Sequence, residues 1–110
     1  MAASQYHRRG TTIDWGRSAR WVAEVLASVL GRATGRGEFW NVNLPDLPAT
    51  AADPGMVECA VDGSPFGLDY RLTGDGWAYE SSYHDRPRVA GSDVDVCFGG
   101  RIAVSRVRAV

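Results

Sequence analysis

The chain has 110 residues, the length of one domain or of part of a larger one. Its 12 basic and 13 acidic residues give a net charge of −1, so no basic excess is present to bind nucleic acid. Apolar residues make up 45% of the chain and charged residues 23%, which is typical of a globular protein and excludes disorder, collagen and coiled coils.

Targeting signals are not evident in the sequence. The longest apolar stretch covers residues 21–30, and a membrane span needs about 20 apolar residues. Residues 1–12 contain no apolar core of a secretory signal. Cys59 and Cys97 form no CxxC motif, and we interpret them as reduced thiols of a cytoplasmic protein.

The strongest local pattern predicts a helix over residues 15–32. Asp14 precedes it as a candidate N-cap, and Gly31 or Gly35 is expected to end it in the left-handed conformation. Spacings of three and four residues predict one apolar stripe that covers a sheet. The stripe consists of Trp15, Ala19, Val22, Val25, Leu26, Val29 and Leu30.

Strand patterns flank this helix. Residues 39–45 alternate and end at Pro45, which places Trp40, Val42 and Leu44 on one face. Residues 2–5 are read as the end of a further strand. Residues 45–55 carry three prolines and are predicted to be a loop.

The rest of the chain reads as short β segments. Residues 56–61 form the first, and segments 66–73 and 77–83 flank Gly74-Asp75-Gly76 as a hairpin. Segments 94–98 and 101–107 flank Gly99-Gly100 as a second predicted hairpin. We therefore expect one segment in two parts: residues 1–48 with a loop, a helix and a sheet strand, and residues 49–110 with β-hairpins.

One long helix and one such strand cannot complete a parallel sheet, because parallel strands need crossover partners. The chain therefore reads as the second half of a larger domain.

Three stretches together resemble the SurE family of metal-dependent nucleotidases and phosphatases, in the order of the family's C-terminal half. They are Ser4-Gln5-Tyr6 with Ile13-Asp14-Trp15, then Asn41-Val42-Asn43-Leu44-Pro45-Asp46-Leu47-Pro48, and then Gly91-Ser92-Asp93-Val94-Asp95 with Gly100-Arg101-Ile102-Ala103-Val104-Ser105. The resemblance implies a partial SurE-like α/β sandwich followed by antiparallel β-hairpins. The structural motif residues that it assigns are Ser4, Asn41, Asn43, Pro45, Gly91, Ser92, Asp93 and Gly100.

The resemblance also implies a phosphomonoesterase that uses Mg²⁺ or Mn²⁺ and acts on nucleoside monophosphates. The family's metal site uses an Asn-Asp-Asp run, a serine and an asparagine that this sequence does not contain, and no Asp-Asp pair occurs in it. We therefore expect no catalytic residue and no metal site in these residues, and no activity of the chain alone. The alternative is a non-catalytic oligomerisation or accessory module, or a truncated remnant.

Asp93 and Asp95 are the candidates for metal ligands, since an extended segment would place both on one face. The alternative is that Asp93 caps a turn and Asp95 is solvated. Asn41 and Asn43 could present amides to a ligand, or could fix a loop through backbone hydrogen bonds. His7 and His84 could each act as a general base or a metal ligand. Because they lie in separate loops with no Cys or His at ligand spacing, we interpret them as surface residues.

The hairpin region is rich in aromatic residues, which we attribute to cross-strand packing rather than base stacking. These are Phe66, Trp77, Tyr79 and Tyr83. The resemblance implies that such hairpins form oligomer contacts. We expect a homo-oligomer or a complex with an N-terminal SurE half, and poor solubility without a partner.

Overall fold

The computed structural model describes residues 1–65, 70–79 and 83–109, and it has a mixed α/β fold, as the sequence predicts. In chain order the elements are β1 (Ala2–Gln5), α1 (Trp15–Val29), β2 (Glu38–Leu44), β3 (Met56–Glu58), β4 (Tyr70–Thr73), β5 (Gly76–Tyr79), α2 (Asp93–Phe98) and β6 (Ile102–Arg108). Among the described residues, neither helix has the length and apolar content needed to cross a membrane.

Four strands form the main sheet, in the order β1-β2-β6-β3. β1 runs parallel to β2, β2 runs antiparallel to β6, and β3 runs parallel to β6. The last strand in sequence therefore lies inside the sheet, between β2 and β3. Residues on both sides of the predicted boundary at residue 48 contribute to this one sheet.

One face of the sheet packs against α1, and we call it the helix face. It carries Trp40, Val42 and Leu44 from β2 and Ile102 and Val104 from β6, and each is at most 5% exposed. The period-two alternation of β2 produces this arrangement, as predicted. Burial of each such side chain contributes about 1.5–3 kcal/mol.

Helix α1 begins where the sequence predicts, because the Asp14 carboxylate accepts a hydrogen bond from Arg17 N at 3.0 Å. The predicted C-terminus at residue 32 is wrong. The helix ends at Val29, and Leu30 keeps a right-handed conformation at the C-cap. Neither Gly31 nor Gly35 has a positive φ, so the predicted glycine cap is also wrong.

The apolar stripe of α1 is rotated from the predicted one. The residues that α1 buries are Arg17, Ser18, Trp21, Val25 and Val29. Trp15 and Leu30 are 68% and 76% exposed, although the spacing assigned both to the buried stripe. Arg17 is buried because its guanidinium donates to three carbonyl oxygens of the 48–52 loop and to Asp53. A charged residue therefore lies where the pattern predicts only apolar side chains.

The second predicted hairpin is wrong. Residues 93–98 form helix α2, and Ile102–Arg108 is strand β6 of the main sheet. Ser92 is the N-cap of α2 and accepts a hydrogen bond from Asp95 N at 3.5 Å. Val96 and Cys97 of this helix pack on Ala103, on the sheet face opposite α1.

The first predicted hairpin is confirmed. β4 pairs with β5 in antiparallel register, with Thr73 opposite Gly76. Gly76 has φ +131°, a conformation that favours glycine. Part of this prediction, residues 66–69 and 80–82, lies outside the described residues.

Candidate functional site

An open cleft of about 480 Å³ lies on the face of the sheet opposite α1. We call this face the cleft face, and it carries Ser4 of β1, Asn41 and Asn43 of β2, and Ala103 and Ser105 of β6. Because side chains alternate along a strand, these small and polar residues lie on the face opposite the apolar residues that pack against α1. The loops after β1 and β3 and the first turn of α2 form the walls of the cleft.

A chain of side-chain hydrogen bonds crosses the cleft. Ser4 Oγ donates to Asn43 Oδ1 at 2.5 Å, and Asn43 Nδ2 donates to Asp93 Oδ2 at 3.4 Å. Three of the predicted motif residues, which are far apart in sequence, therefore meet here. Within the described residues the Asn43 amide bonds to side chains and not to the backbone, contrary to the loop-fixing interpretation. Asn41 also lines the cleft.

Asp93 is 6% exposed, and its two carboxylate oxygens have different partners. Oδ1 accepts short hydrogen bonds from Asp62 N at 2.7 Å and Val94 N at 2.9 Å. In the described part of the chain, Oδ2 has only the long contact with Asn43. The backbone therefore fixes the carboxylate, while one oxygen is left for a further donor.

Asp95 does not share this site. Its Oδ1 lies 3.1 Å from Arg88 Nε, and its Oδ2 accepts from Gly91 N at 2.8 Å. The extended geometry that would align Asp93 with Asp95 is wrong, because both residues belong to α2. No group of three or more His, Cys, Asp or Glu side chains that could hold a metal ion occurs within residues 1–65, 70–79 and 83–109.

Asp62 is a cleft residue that the sequence did not single out, since Asp62-Gly63-Ser64-Pro65 reads as a turn. Its carboxylate accepts from Ser64 N at 2.7 Å, Val89 N at 2.8 Å and Ser92 Oγ at 3.1 Å. Hydrogen bonds from Ser64 first, and then from Val89, lower the pKa of Asp62 well below its usual value. Asp62 thus holds the 89–92 turn against the chain that follows β3.

An aromatic wall closes one side of the cleft. Tyr6 stacks on Phe98 with ring centroids 4.4 Å apart, and its phenol oxygen lies 2.6 Å from His84 Nδ1. His84 therefore meets the residue after β1, across 78 positions of the sequence. His7 lines the cleft, and its Nε2 lies 2.8 Å from Thr11 O. Both histidines are exposed, as the sequence predicts.

The loop after β1 is anchored by Asp46, which is 7% exposed. Its Oδ2 accepts from Arg8 N at 2.8 Å and from Thr11 Oγ1 at 2.7 Å. Burial alone would raise the pKa of Asp46, but these two hydrogen bonds and the charge of Arg8 lower it further than burial raises it. The loop that carries Tyr6 and His7 is thereby fixed to the end of β2.

The remaining motif residues shape the backbone around the cleft. Pro45 is fully buried, and its carbonyl accepts from Gln5 Nε2 at 3.0 Å. Gly91 and Gly100 have φ +77° and +90°, in the left-handed region where other residues are strained. A Cβ on Gly100 would lie 3.2 Å from Leu47 Cδ2.

Both cysteines are free, and Cys97 lines the cleft. Burial, and then the charge of Asp93, raises the pKa of Cys97 to about 12. Burial also raises the pKa of Cys59. Neither thiol is activated as a nucleophile at neutral pH.

A second groove, of about 250 Å³, runs between the outer edge of β1 and α1. Trp15, Ala19 and Val22 of the helix line it together with Ala3 of the strand. Among the described strands, β1 pairs only with β2, so its other edge has no strand beside it. The groove therefore lies beside a strand edge whose N–H and C=O groups have no partner strand in the described part of the chain.

Comparisons with known proteins give a consistent result. The chain is 43% identical over 108 residues to a protein of Nostoc sp. that carries the name "Putative 5'-nucleotidase", and 32% identical to one of the same name from Synechocystis sp.. Each match includes 98% of this chain and 48% of the relative. The chain thus spans about half the length of the curated relatives it matches. No family model matches it.

The fold also matches a solved structure. The crystal structure of the SurE protein from Aquifex aeolicus superposes with a TM-score of 0.64, over 97% of this chain and 44% of that one. At 18% identity this match establishes the fold alone. In the sequence comparison and in the structural comparison, this chain therefore matches slightly less than half of the other protein.

Proposed function

Because this chain is a SurE-like segment, we propose that it supplies one half of a metal-dependent phosphomonoesterase, a 5'/3'-nucleotidase acting on nucleoside monophosphates. The observation that carries the proposal is the 43% identity to the Nostoc relative over nearly the whole chain. The relative's name provides the reaction class, and its unmatched half provides room for the catalytic residues.

We assign no catalytic step to the described residues, because they contain no group of three or more His, Cys, Asp or Glu side chains that could hold a metal ion. Their role in the reaction is to bind and to orient. The cleft offers the Asp93 carboxylate on α2 and the Asn41 and Asn43 amides on β2, where backbone pairing fixes the positions of the two asparagines. The metal, Mg²⁺ or Mn²⁺, would polarise the phosphate when bound by the other half.

The partner is the remaining half of a SurE-like protein, docked on β1 and α1. The groove beside α1 is apolar, and Trp15 at its rim is 68% exposed. An unpaired parallel strand edge next to such a groove matches the addition of a further strand and its covering helix. Without that partner we expect a poorly soluble or self-associating chain.

The test measures hydrolysis of a chromogenic phosphate ester in the presence of Mn²⁺ or Mg²⁺. The chain alone is expected to give no turnover above the buffer blank. Mixed or co-expressed with the half of the Nostoc relative that it does not match, it is expected to give turnover that a chelator removes. Chelator-sensitive turnover by the chain alone would contradict the proposal, as would an inactive mixture in which the two polypeptides bind each other.

Two arginine substitutions on α1 test the docking surface. Ala19→Arg places a charged side chain in the groove, whereas Ala27→Arg places one on an exposed position that does not line it. We expect the first to weaken association at least tenfold and the second to leave it unchanged. Equal effects of the two would place the partner elsewhere.

The alternative function is a non-catalytic interaction module, favoured by the exposed hairpin. Leu72 and Trp77 are 68% and 71% exposed, and Tyr70 is 56% exposed. A two-stranded hairpin cannot bury such side chains by itself. If the chain is a non-catalytic interaction module, Trp77→Ser abolishes self-association measured by sedimentation. The chain mixed with the unmatched half of the Nostoc relative then remains inactive.

We also propose that the protein is cytoplasmic. The free state of Cys59 and Cys97 supports this assignment.

A further inference from the structure

The cleft contains one carboxylate oxygen that is buried and poorly satisfied. Asp93 is 6% exposed, yet its Oδ2 receives a single contact of 3.4 Å within the described residues. A charge-assisted hydrogen bond is normally 2.5–2.9 Å long, and a buried carboxylate oxygen takes more than one donor. An incoming hydroxyl group would supply the missing short bond.

Asn41 provides a second polar group on the same face. It lies two residues before Asn43 on β2, lines the cleft and is half-buried. Its amide can both donate and accept, so it can bond a hydroxyl next to the one that Asp93 accepts. A carboxylate and an amide that line the same cleft can together bond two hydroxyl groups of one ligand.

The cleft also has an apolar side. Tyr6, Val61 and Phe98 line it, and the first and last of these form a stacked aromatic pair. Such a wall accommodates a flat heterocycle next to a polar sugar site.

A phosphate group does not suit this position. Asp62, Asp93 and Arg86 line the cleft, so its two carboxylates outnumber its one arginine and do not favour an anion. The polar lining therefore selects a neutral, hydroxyl-bearing part of a ligand.

We propose that this cleft binds the ribosyl group of a nucleoside, with Asp93 accepting from one vicinal hydroxyl and Asn41 bonding its neighbour. The choice of a nucleoside rests on the proposed function, and it assigns the sugar of the substrate to this half of the protein. The phosphate would then lie toward the other half.

Adenosine and 2',3'-dideoxyadenosine test the proposal directly, titrated into the full chain in EDTA, alone and with the Nostoc polypeptide used above. We expect adenosine to bind at least tenfold more tightly, because the dideoxy compound leaves the carboxylate unsatisfied. Asp93→Asn is expected to weaken adenosine binding about tenfold, and Asn41→Ala about fivefold. Equal binding of the two nucleosides, or no adenosine binding, would overturn the proposal.

Asp95→Asn is the matched control, because Asp95 lies on the same helix but pairs with Arg88. It should leave the adenosine affinity unchanged, and a loss equal to that of Asp93→Asn would point to α2 folding instead. If Asp93→Asn does not fold, the adenosine affinity of Asn41→Ala is the test. An affinity equal to that of the unmodified chain would overturn the proposal. Adenosine binding by a chain that never supports hydrolysis would overturn the proposed function alone, whereas hydrolysis without ribose discrimination would overturn this inference alone.

Discussion

The helix face presents Trp40, Val42 and Leu44 to α1, whereas the cleft face presents Ser4, Asn41 and Asn43 to an open cleft. The same strands build both faces, and only the alternation of the sequence separates them. The helix face is apolar and closed, so its side chains act on stability. On the cleft face α2 covers Ala103, but Ser4, Asn41 and Asn43 line the open cleft, where their side chains can contact a ligand. Substitutions on the two faces should therefore change different measurements.

The largest effect is expected from Ile102→Ala on the helix face. Ile102 is 0% exposed, and truncation leaves a cavity that the sheet cannot close. We expect a loss of about 2–5 kcal/mol in the free energy of unfolding, measured by urea denaturation. Leu30→Ala is the control, since Leu30 is 76% exposed and its truncation should cost less than about 0.5 kcal/mol. Similar losses in both variants would mean that the helix face is not the core.

A smaller effect is expected from Asp46→Asn, at the end of β2 between the two faces. The variant weakens the hydrogen bonds from Arg8 and Thr11, at a cost of about 1–3 kcal/mol at pH 7. The pKa of Asp46 is lowered on folding, so its contribution is present above about pH 3.9, its unfolded value, and is lost as the pH falls through the folded value.

Unfolding curves at pH 7 and pH 3 measure this difference. The stability of Asp46→Asn should fall less between the two pH values than that of the unmodified chain. Asp75→Asn, which removes a carboxylate in the exposed β4–β5 turn, is the control for the loss of one acidic group. If the stability of Asp46→Asn falls as much between pH 7 and pH 3 as that of the unmodified chain, Asp46 does not make this pH-dependent contribution.

The smallest effect on stability is expected from Asn41→Val on the cleft face. Valine is favoured in strands, so the free energy of unfolding should stay within about 0.5 kcal/mol of its original value or rise slightly. Adenosine affinity should nevertheless fall, because the amide that faces the cleft is gone. Thermal unfolding and nucleoside titration of the same sample measure the two quantities. A large loss of stability would show that Asn41 is structural and would remove the contrast between the faces.

The helix face was largely predictable from the sequence. The alternation of β2 identified its buried residues, and Asp14 identified the start of α1. The buried residues of α1 were predicted incorrectly, because Arg17 and Ser18 are buried through hydrogen bonds, and a pattern of apolar residues does not predict the burial of polar ones. Helix α2 was missed because Val94-Asp95-Val96 alternates like a strand, and six residues are too few to separate the two periods. The sequence feature that could have indicated α2 is Ser92, because serine is a favoured N-cap residue.

The site was predictable in its residues but not in its geometry. The resemblance selected Ser4, Asn43 and Asp93, yet nothing in their spacing indicates that they meet. Asn43 and Asp93 are 50 positions apart, and only the insertion of β6 beside β2 brings α2 over the cleft. The sequence predicted a turn at Asp62, and its carboxylate does accept a hydrogen bond from the nearby backbone N–H of Ser64. Its contact with Ser92 could not be predicted, because only the tertiary fold brings the two residues together.

The position of β6 has a consequence for synthesis on the ribosome. β2 and β3 become neighbours of a common strand only after residues 102–108 have been made. Until then α1 covers a sheet that lacks Ile102 and Val104, and β2 exposes an unpaired edge. Contacts as distant in sequence as Glu38 with Arg108 form slowly, since a long loop must close first. The nascent chain therefore needs protection from aggregation until β6 has left the exit tunnel.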